Sequence, residues 1–156
     1  MLDLQLRPFQ VGDEVPFRAL NEDWISQYFT LEEPDRIILE DPVGQILEQG
    51  GHIFMALGDG RPIACCALLV MADGEFELAK MTVLQSHRGQ GIGRELLRYT
   101  IGQAKALGAP RLYLETSNKL TNAIHLYQSL GFRHLPPEKV VPSLYARANV
   151  FMELFL

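Results

Sequence analysis

The feature that most constrains this chain lies between Glu77 and Arg94, where a strand-like run breaks into a glycine turn and restarts as a helix. Glu77-Leu78-Ala79-Lys80-Met81-Thr82-Val83 is extended and largely apolar, and Gly89, Gly91 and Gly93 then fall at alternate positions. From Ile92 the hydrophobic period changes from two to about 3.6. Such a turn bends tightly and carries no Cβ atoms to obstruct a ligand. The free N–H groups and dipole at the start of the next helix suit an anion. Arg88 and Arg94 add positive charge at either edge. This is a phosphate cradle on a strand–turn–helix. It is not a P-loop, because Gly93 is followed by Arg94 and Glu95 rather than Lys and Ser or Thr. Nor is it a dinucleotide fingerprint, because Leu96 stands where the third glycine belongs.

The pattern on either side predicts alternating strands and helices. Leu2, Leu4 and Leu6 alternate with polar residues as a first half-buried strand. Asp13 is placed to cap a helix running to about Phe29, with Pro16 in its first turn and Val15, Ala19, Leu20 and Ile25 on one side. Residues 34–49 read as a second helix interrupted near Pro42 and stopped by Gly50-Gly51. A hairpin follows, with residues 52–57 and 62–71 around Gly58-Asp59-Gly60, and a second turn at Asp73-Gly74 leads into a strand over 75–84. Ile92, Leu96, Leu97, Ile101, Ala104 and Leu107 recur at helical spacing until Gly108 and Pro110. Beyond a strand over 111–116, residues 121–130 form a helix capped by Thr121 or Asn118. Residues 132–135 and 150–155 complete the sheet around a proline-punctuated loop, residues 136–148.

A second motif lies downstream of the cradle. The strand Leu112-Tyr113-Leu114-Glu115-Thr116 leads to Asn118, then Asn122-Ala123, Tyr127 and Gly131-Phe132. Arg88-x-x-Gly91-x-Gly93 resembles the acetyl-CoA pyrophosphate loop of the GNAT superfamily of N-acetyltransferases. The asparagine–alanine–tyrosine–Gly-Phe series resembles that superfamily's second signature, in the right order and separation. Arg147-Ala148-Asn149-Val150-Phe151-Met152-Glu153-Leu154 looks like its closing strand. The resemblance spans essentially the whole chain and is strongest from Glu77 to Phe132.

The resemblance implies an α/β (α+β) fold with a mixed, mostly antiparallel central sheet of about seven strands flanked by about four helices. It also implies acetyl-CoA as cosubstrate and transfer of acetyl to a primary amine of a small molecule or peptide. The backbone of Met81, Thr82 and Val83 would then pair with the pantetheine arm. Arg88, Gly89, Gln90, Gly91, Ile92, Gly93 and Arg94 would hold the pyrophosphate. Asn118 or Asn122 would bond the arm, though helix capping explains either one as well. Tyr127 would be the general acid, since a phenol is protonated at neutral pH and can donate to sulfur. It also falls on the apolar stripe Ala123, Leu126, Tyr127, Leu130, so packing is the competing role. Glu77 and Glu115 each interrupt an apolar strand beside the expected cleft, where burial raises a carboxylate's pKa. Glu77 is the first choice for general base. A CoA-binding sensor or structural module without turnover is the alternative function.

Composition narrows the remainder. At 156 residues the chain matches one domain on a prior of about 100–200 residues each. A net charge of −5 argues against broad nucleic-acid binding. The longest apolar run, residues 63–72, falls short of the roughly 20 needed to span a membrane, and no signal-peptide core precedes Asp3 and Arg7. Adjacent Cys65 and Cys66 point to opposite faces of a strand, as buried thiols in a reducing cytoplasm. His52, His87, His125 and His134 lack metal-ligand spacing, so no metal is expected. A homodimer is compatible with all of this.

Overall fold

The computed structural model of the chain describes residues 2–156. Its elements, in order, are β1 (Leu4–Pro8), α1 (Glu14–Tyr28), α2 (Glu33–Glu40), β2 (His52–Gly58), β3 (Arg61–Val70), β4 (Phe76–Val83), α3 (Ile92–Ala106), β5 (Arg111–Thr116), α4 (Thr121–Ser129), β6 (Arg133–His134) and β7 (Val150–Phe155). Among the described residues they form one seven-stranded sheet in the order β1-β2-β3-β4-β5-β7-β6. Every neighbouring pair is antiparallel except β4 with β5. The β2–β3 hairpin turns at Asp59 and Gly60, both at positive φ (50° and 81°), the handedness that matches strand twist.

Two apolar layers cover the sheet. Ile92, Leu96, Leu97 and Ala104 of α3, with Leu126, Tyr127 and Leu130 from α4 and its end, pack on one face. Phe17, Leu20 and Ile25 of α1 and Leu39 of α2 pack on the other. Strand alternation sends Cys66 to the first layer and Cys65 to the second. Both thiols are free and fully buried, and burial pushes both pKa values up, that of Cys66 to about 12.

Three local expectations are corrected and a fourth holds in part. The buried face of α1 carries Phe17, Leu20, Asn21 and Ile25, while Val15 is 71 % exposed and Ala19 is also outside. Asp13 occupies the N-cap position of α1 as expected, its carbonyl accepting the Phe17 N–H (2.9 Å), but its carboxylate takes Arg7 (2.6 Å) and the Gln10 N–H (2.8 Å) and makes no side-chain cap. The cap position of α4 is Leu120, so neither Thr121 nor Asn118 caps it. Arg147, Ala148 and Asn149 precede β7 rather than opening it, and Arg147 turns back toward α2. The expected interruption near Pro42 is real: a wide turn over Val43–Leu47 separates α2 from β2.

The site is positioned by an irregularity in β4. Cys65 pairs with Thr82 and Ala67 with Ala79, so two steps along β3 match three along β4. The additional residue is Lys80, held at φ 54°. A left-handed non-glycine residue costs on the order of 1 kcal/mol and marks a bulge that bends the strand. Beyond it the alternation changes phase: Glu77, Ala79 and also Lys80 face the α1–α2 side, while Met81 and Val83 turn to the α3 layer. Among the described residues β4 and β5 pair at Phe76↔Leu112 and Glu77↔Tyr113 and nowhere further. From there both strands continue, to Val83 and Thr116, without pairing, leaving a gap in the ladder between them.

Candidate active site

The glycine loop joins β4 to α3. Gly89 and Gly91 both have φ near 80°, a conformation that other residues adopt only under strain. A Cβ on either would meet no described atom within 4 Å, so the loop presents an open concave surface. Gly91 is the N-cap of α3, and no side chain caps that helix. Its first N–H groups are therefore free to take an anion. Ile92 is buried in the core and offers its backbone alone. Gly93 is a glycine for a different reason: a Cβ there would lie 3.3 Å from Met81 Cε and 3.5 Å from Val83 Cγ2, so it permits close packing of α3 on β4.

The flanking cations are anchored without being neutralised. Arg88 donates from Nε to the Val83 carbonyl (3.0 Å), and Arg94 donates to Ser129 Oγ (2.8 Å). Among the described residues neither pairs with a carboxylate. Gln90 is exposed on the loop. Asn118 and Asn122 are exposed before and within the first turn of α4, and the Asn118 N–H donates to Asn149 Oδ1 (2.8 Å). Tyr127 is half-buried, edge-on to Phe132 at 5.8 Å. Burial, with the nearby Cys66, pushes its phenol pKa above the ordinary value, so it keeps its proton throughout the neutral range.

On the α1–α2 side lies a cavity of about 390 Å³ between α1, α2, β4, β5 and the 136–149 loop. Glu77 and Glu115 both line it. Their surroundings differ. Glu115 accepts from the Tyr113 hydroxyl (2.8 Å) and the Ser143 hydroxyl, which fix its orientation. Among the described residues nothing hydrogen-bonds to Glu77. Burial first, and then the charge of Glu115, push Glu77 up to about 7, against the opposing pull of Lys80. One carboxylate is held in place and its neighbour is left free to gain or lose a proton near neutrality.

The same cavity contains an ionic cluster that sequence reading missed. Lys80 Nζ donates to Asp35 Oδ1 (2.7 Å) and to the Tyr145 hydroxyl (3.2 Å). Arg147 places Nη1 and Nη2 on the two oxygens of Asp35 (2.8 and 2.7 Å) and reaches Glu32 at 3.3 Å. Glu32 also takes the Ala146 N–H at 2.9 Å. Burial alone would raise the Asp35 carboxyl, but the hydrogen bonds from Arg147 and the charge and hydrogen bond of Lys80 outweigh it and hold it down at about 2. The cluster joins α2, β4 and the 136–149 loop. The one available signal was a lysine amid an otherwise apolar strand.

A family model described as "Acetyltransferase (GNAT) family" matches residues 14–132. The uncharacterized N-acetyltransferase YjgM of Escherichia coli is 33 % identical over 99 residues, 61 % of this chain and 59 % of that protein's own length. The crystal structure of a GNAT-family acetyltransferase from Staphylococcus aureus superposes with a TM-score of 0.86 at 20 % identity, covering 97 % of this chain and 98 % of that one. A PaiA N-acetyltransferase from Thermoplasma acidophilum, determined in complex with coenzyme A, superposes with a TM-score of 0.76 at 17 % identity over 99 % of each chain. Among the described residues no helix is long and apolar enough to cross a membrane.

Proposed function

The chain belongs to the acetyltransferase (GNAT) family, and we propose that it moves an acetyl group from acetyl-CoA directly to a primary amine. The observation that carries this reading is the end of β4–β5 pairing, with the unpartnered Glu77 in the cavity beside it and an uncapped, positively flanked helix start following β4. The residues present fit such a cosubstrate: the open surface at Gly89 and Gly91 suits a diphosphate, and the end of pairing with β5 leaves backbone groups near Met81, Thr82 and Val83 for the amide-bearing arm. Asn118 and Asn122 stand where they would bond that arm from α4. The thioester supplies an activated acetyl group when bound.

The chain's own residues supply the rest. Holding both reactants in one gap makes their encounter effectively intramolecular. Glu77, with a pKa near 7, takes the first proton from the incoming ammonium and passes it to solvent. Glu115, held by Tyr113 and Ser143, steadies the cation and raises the basicity of Glu77. As the N–C bond forms and the S–C bond breaks, Tyr127 gives its proton to the departing sulfur. The second proton lost by nitrogen restores the phenol. Two buried free thiols suit a reducing compartment such as the cytoplasm.

The test is thiol release from acetyl-CoA across a panel of monoamines, polyamines, amino acids and short peptides. Acceptor-dependent release supports the reading. Tight acetyl-CoA binding with no release for any acceptor would leave a CoA-binding module instead.

A further inference from the structure

Two cations, Lys80 and Arg147, line the acceptor cavity, and a cationic wall ordinarily marks a carboxylate-bearing substrate. Here both are already engaged. Asp35 accepts two hydrogen bonds from Arg147, one from Lys80 and one from the Glu32 N–H, and it is 0 % exposed. The Tyr145 ring lies 4.4 Å from the Arg147 guanidinium carbon and 4.8 Å from Lys80 Nζ. Their charges are already balanced by Asp35 and Glu32, so a substrate carboxylate would add an unmatched negative charge to the cluster.

What stays available in the cavity has the opposite sign. Glu77 has no partner among the described residues, and Glu115 takes neutral hydroxyl donors alone. The remaining wall is apolar, with Trp24, Phe29, Ile38, Leu69 and Leu120 among its residues. The bonds from Glu32 to Ala146 and Arg147 fasten α2 to the 136–149 loop along the cavity wall. A volume of about 390 Å³ is that of a small-molecule site.

We propose that the acceptor is a small monoamine with an apolar, carboxylate-free body, of the arylalkylamine class. Its ammonium lies between Glu77 and Glu115, and its ring packs on Trp24 and Phe29. This assignment rests on the acetyl-transfer reading and names the substrate class for the same site. An α-carboxylate on the same body enters beside Glu115, where both cavity-lining cations are already paired with internal carboxylates, and a buried charge without a partner is strongly disfavoured. Lys119, which has no carboxylate partner among the described residues, lies over the Phe29 ring at 5.6 Å.

The experiment compares phenethylamine with L-phenylalanine, which share a ring and an amine and differ by one carboxylate. Calorimetry on the intact protein, with and without acetyl-CoA, gives binding; thiol release gives turnover. Phenethylamine is expected to bind roughly 100-fold more tightly than phenylalanine and to be turned over. Equal binding, or binding of neither, overturns the assignment. Preference for the amine with no thiol release keeps the substrate class and removes the transfer reading. Release with amino acids or a phenylalanine-initiated tripeptide, but not with phenethylamine, does the reverse. Asp35→Asn frees Lys80 and Arg147 and is expected to narrow the binding ratio at least tenfold. An unchanged ratio in a folded variant contradicts the assignment, and if that variant does not fold the wild-type ratio still decides.

Discussion

On the α3 side of the β4–β5 gap the ligand surface is mainly backbone from one continuous stretch, residues 81–94. On the α2 side it is side chains drawn from α1, α2, β4, β5 and the 136–149 loop. The first surface needs glycines at fixed spacing and a helix start, and on the proposed reading it would recognise a group that presents the same phosphates whatever the reaction. The second needs distant side chains brought together, with Asp35 and Arg147 separated by 112 positions. It can vary without disturbing the first. On the proposed reading, cofactor recognition would be local and backbone-borne, whereas acceptor recognition would be a product of tertiary structure.

The sharpest way to break this comparison is at Tyr127. Tyr127→Phe keeps the ring against Phe132 and removes the proposed proton donor. Turnover is expected to fall about 10²–10⁴-fold with acetyl-CoA affinity nearly unchanged in calorimetry. A wild-type rate would make Tyr127 a packing residue and leave thiolate departure to solvent.

Asp35→Ala tests whether the acceptor side depends on its ionic cluster. Removing the shared anion leaves Lys80 buried with the Tyr145 hydroxyl as its remaining partner and Arg147 with Glu32 alone, a loss of about 3–5 kcal/mol expected in chemical denaturation. The wild-type dependence on pH carries the same signature. Because the folded Asp35 carboxyl sits at about 2, below its ordinary 3.8, its contribution is present above about pH 4 and disappears as pH falls through 2. An acid transition unaltered in the variant would show the cluster to be energetically idle.

Two glycine variants separate ligand surface from packing on the cofactor side. Gly91→Val forces a branched residue to a φ of 80° on the open face. Acetyl-CoA affinity is expected to drop roughly tenfold or more, given a backbone cost of about 1–3 kcal/mol. Gly93→Val pushes toward Met81 instead and is expected to lower Tm more than affinity. Identical behaviour of the two would erase the distinction.

The smallest expected effect is on stability at Glu77. Between about pH 4.5 and 7 the folded protein holds a proton there that the unfolded chain has lost, so stability declines as pH rises. Glu77→Gln is expected to remove that slope and to be more stable than the wild type at pH 8. It should also slow turnover most at neutral pH, recovering partly as free amine increases, whereas Glu115→Gln chiefly raises KM. A rate profile in which Glu115→Gln alone shows the alkaline recovery would exchange the two roles.

Legibility followed the same division. The order of strands and helices, the bulk of the sheet and the glycine loop were readable because each is a pattern along one stretch of chain. Glu77 and Glu115 were readable as interruptions of apolar strands, though their unequal surroundings were not, since Ser143 approaches from another segment. Lys80 was hidden because strand alternation alone would turn it to the α3 layer, and only the bulge brings it to the cavity. On α1, Phe17 and Asn21 are buried in place of Val15 and Ala19, because packing against β3 and β4, rather than local periodicity, sets the rotation of the helix. Arg147 looked like part of a strand, and its partner on α2 could not be inferred without the fold.

Lys80 also bears on the order in which the protein assembles. Its left-handed backbone is unfavourable by itself, and the groups that hold its ammonium lie 45 and 65 positions away, in Asp35 and Tyr145. Contacts of that range close late, after the hairpins and helices have formed. The bulge at Lys80 is therefore expected to settle only once α2 and the 136–149 loop have docked, while the end of β4 already pairs with β3, so a chain stalled before that step is expected to have its sheet and no acceptor pocket. Slow amide exchange around Lys80 becomes a marker of the finished enzyme, distinct from slow exchange in β2 and β3, which marks the sheet alone.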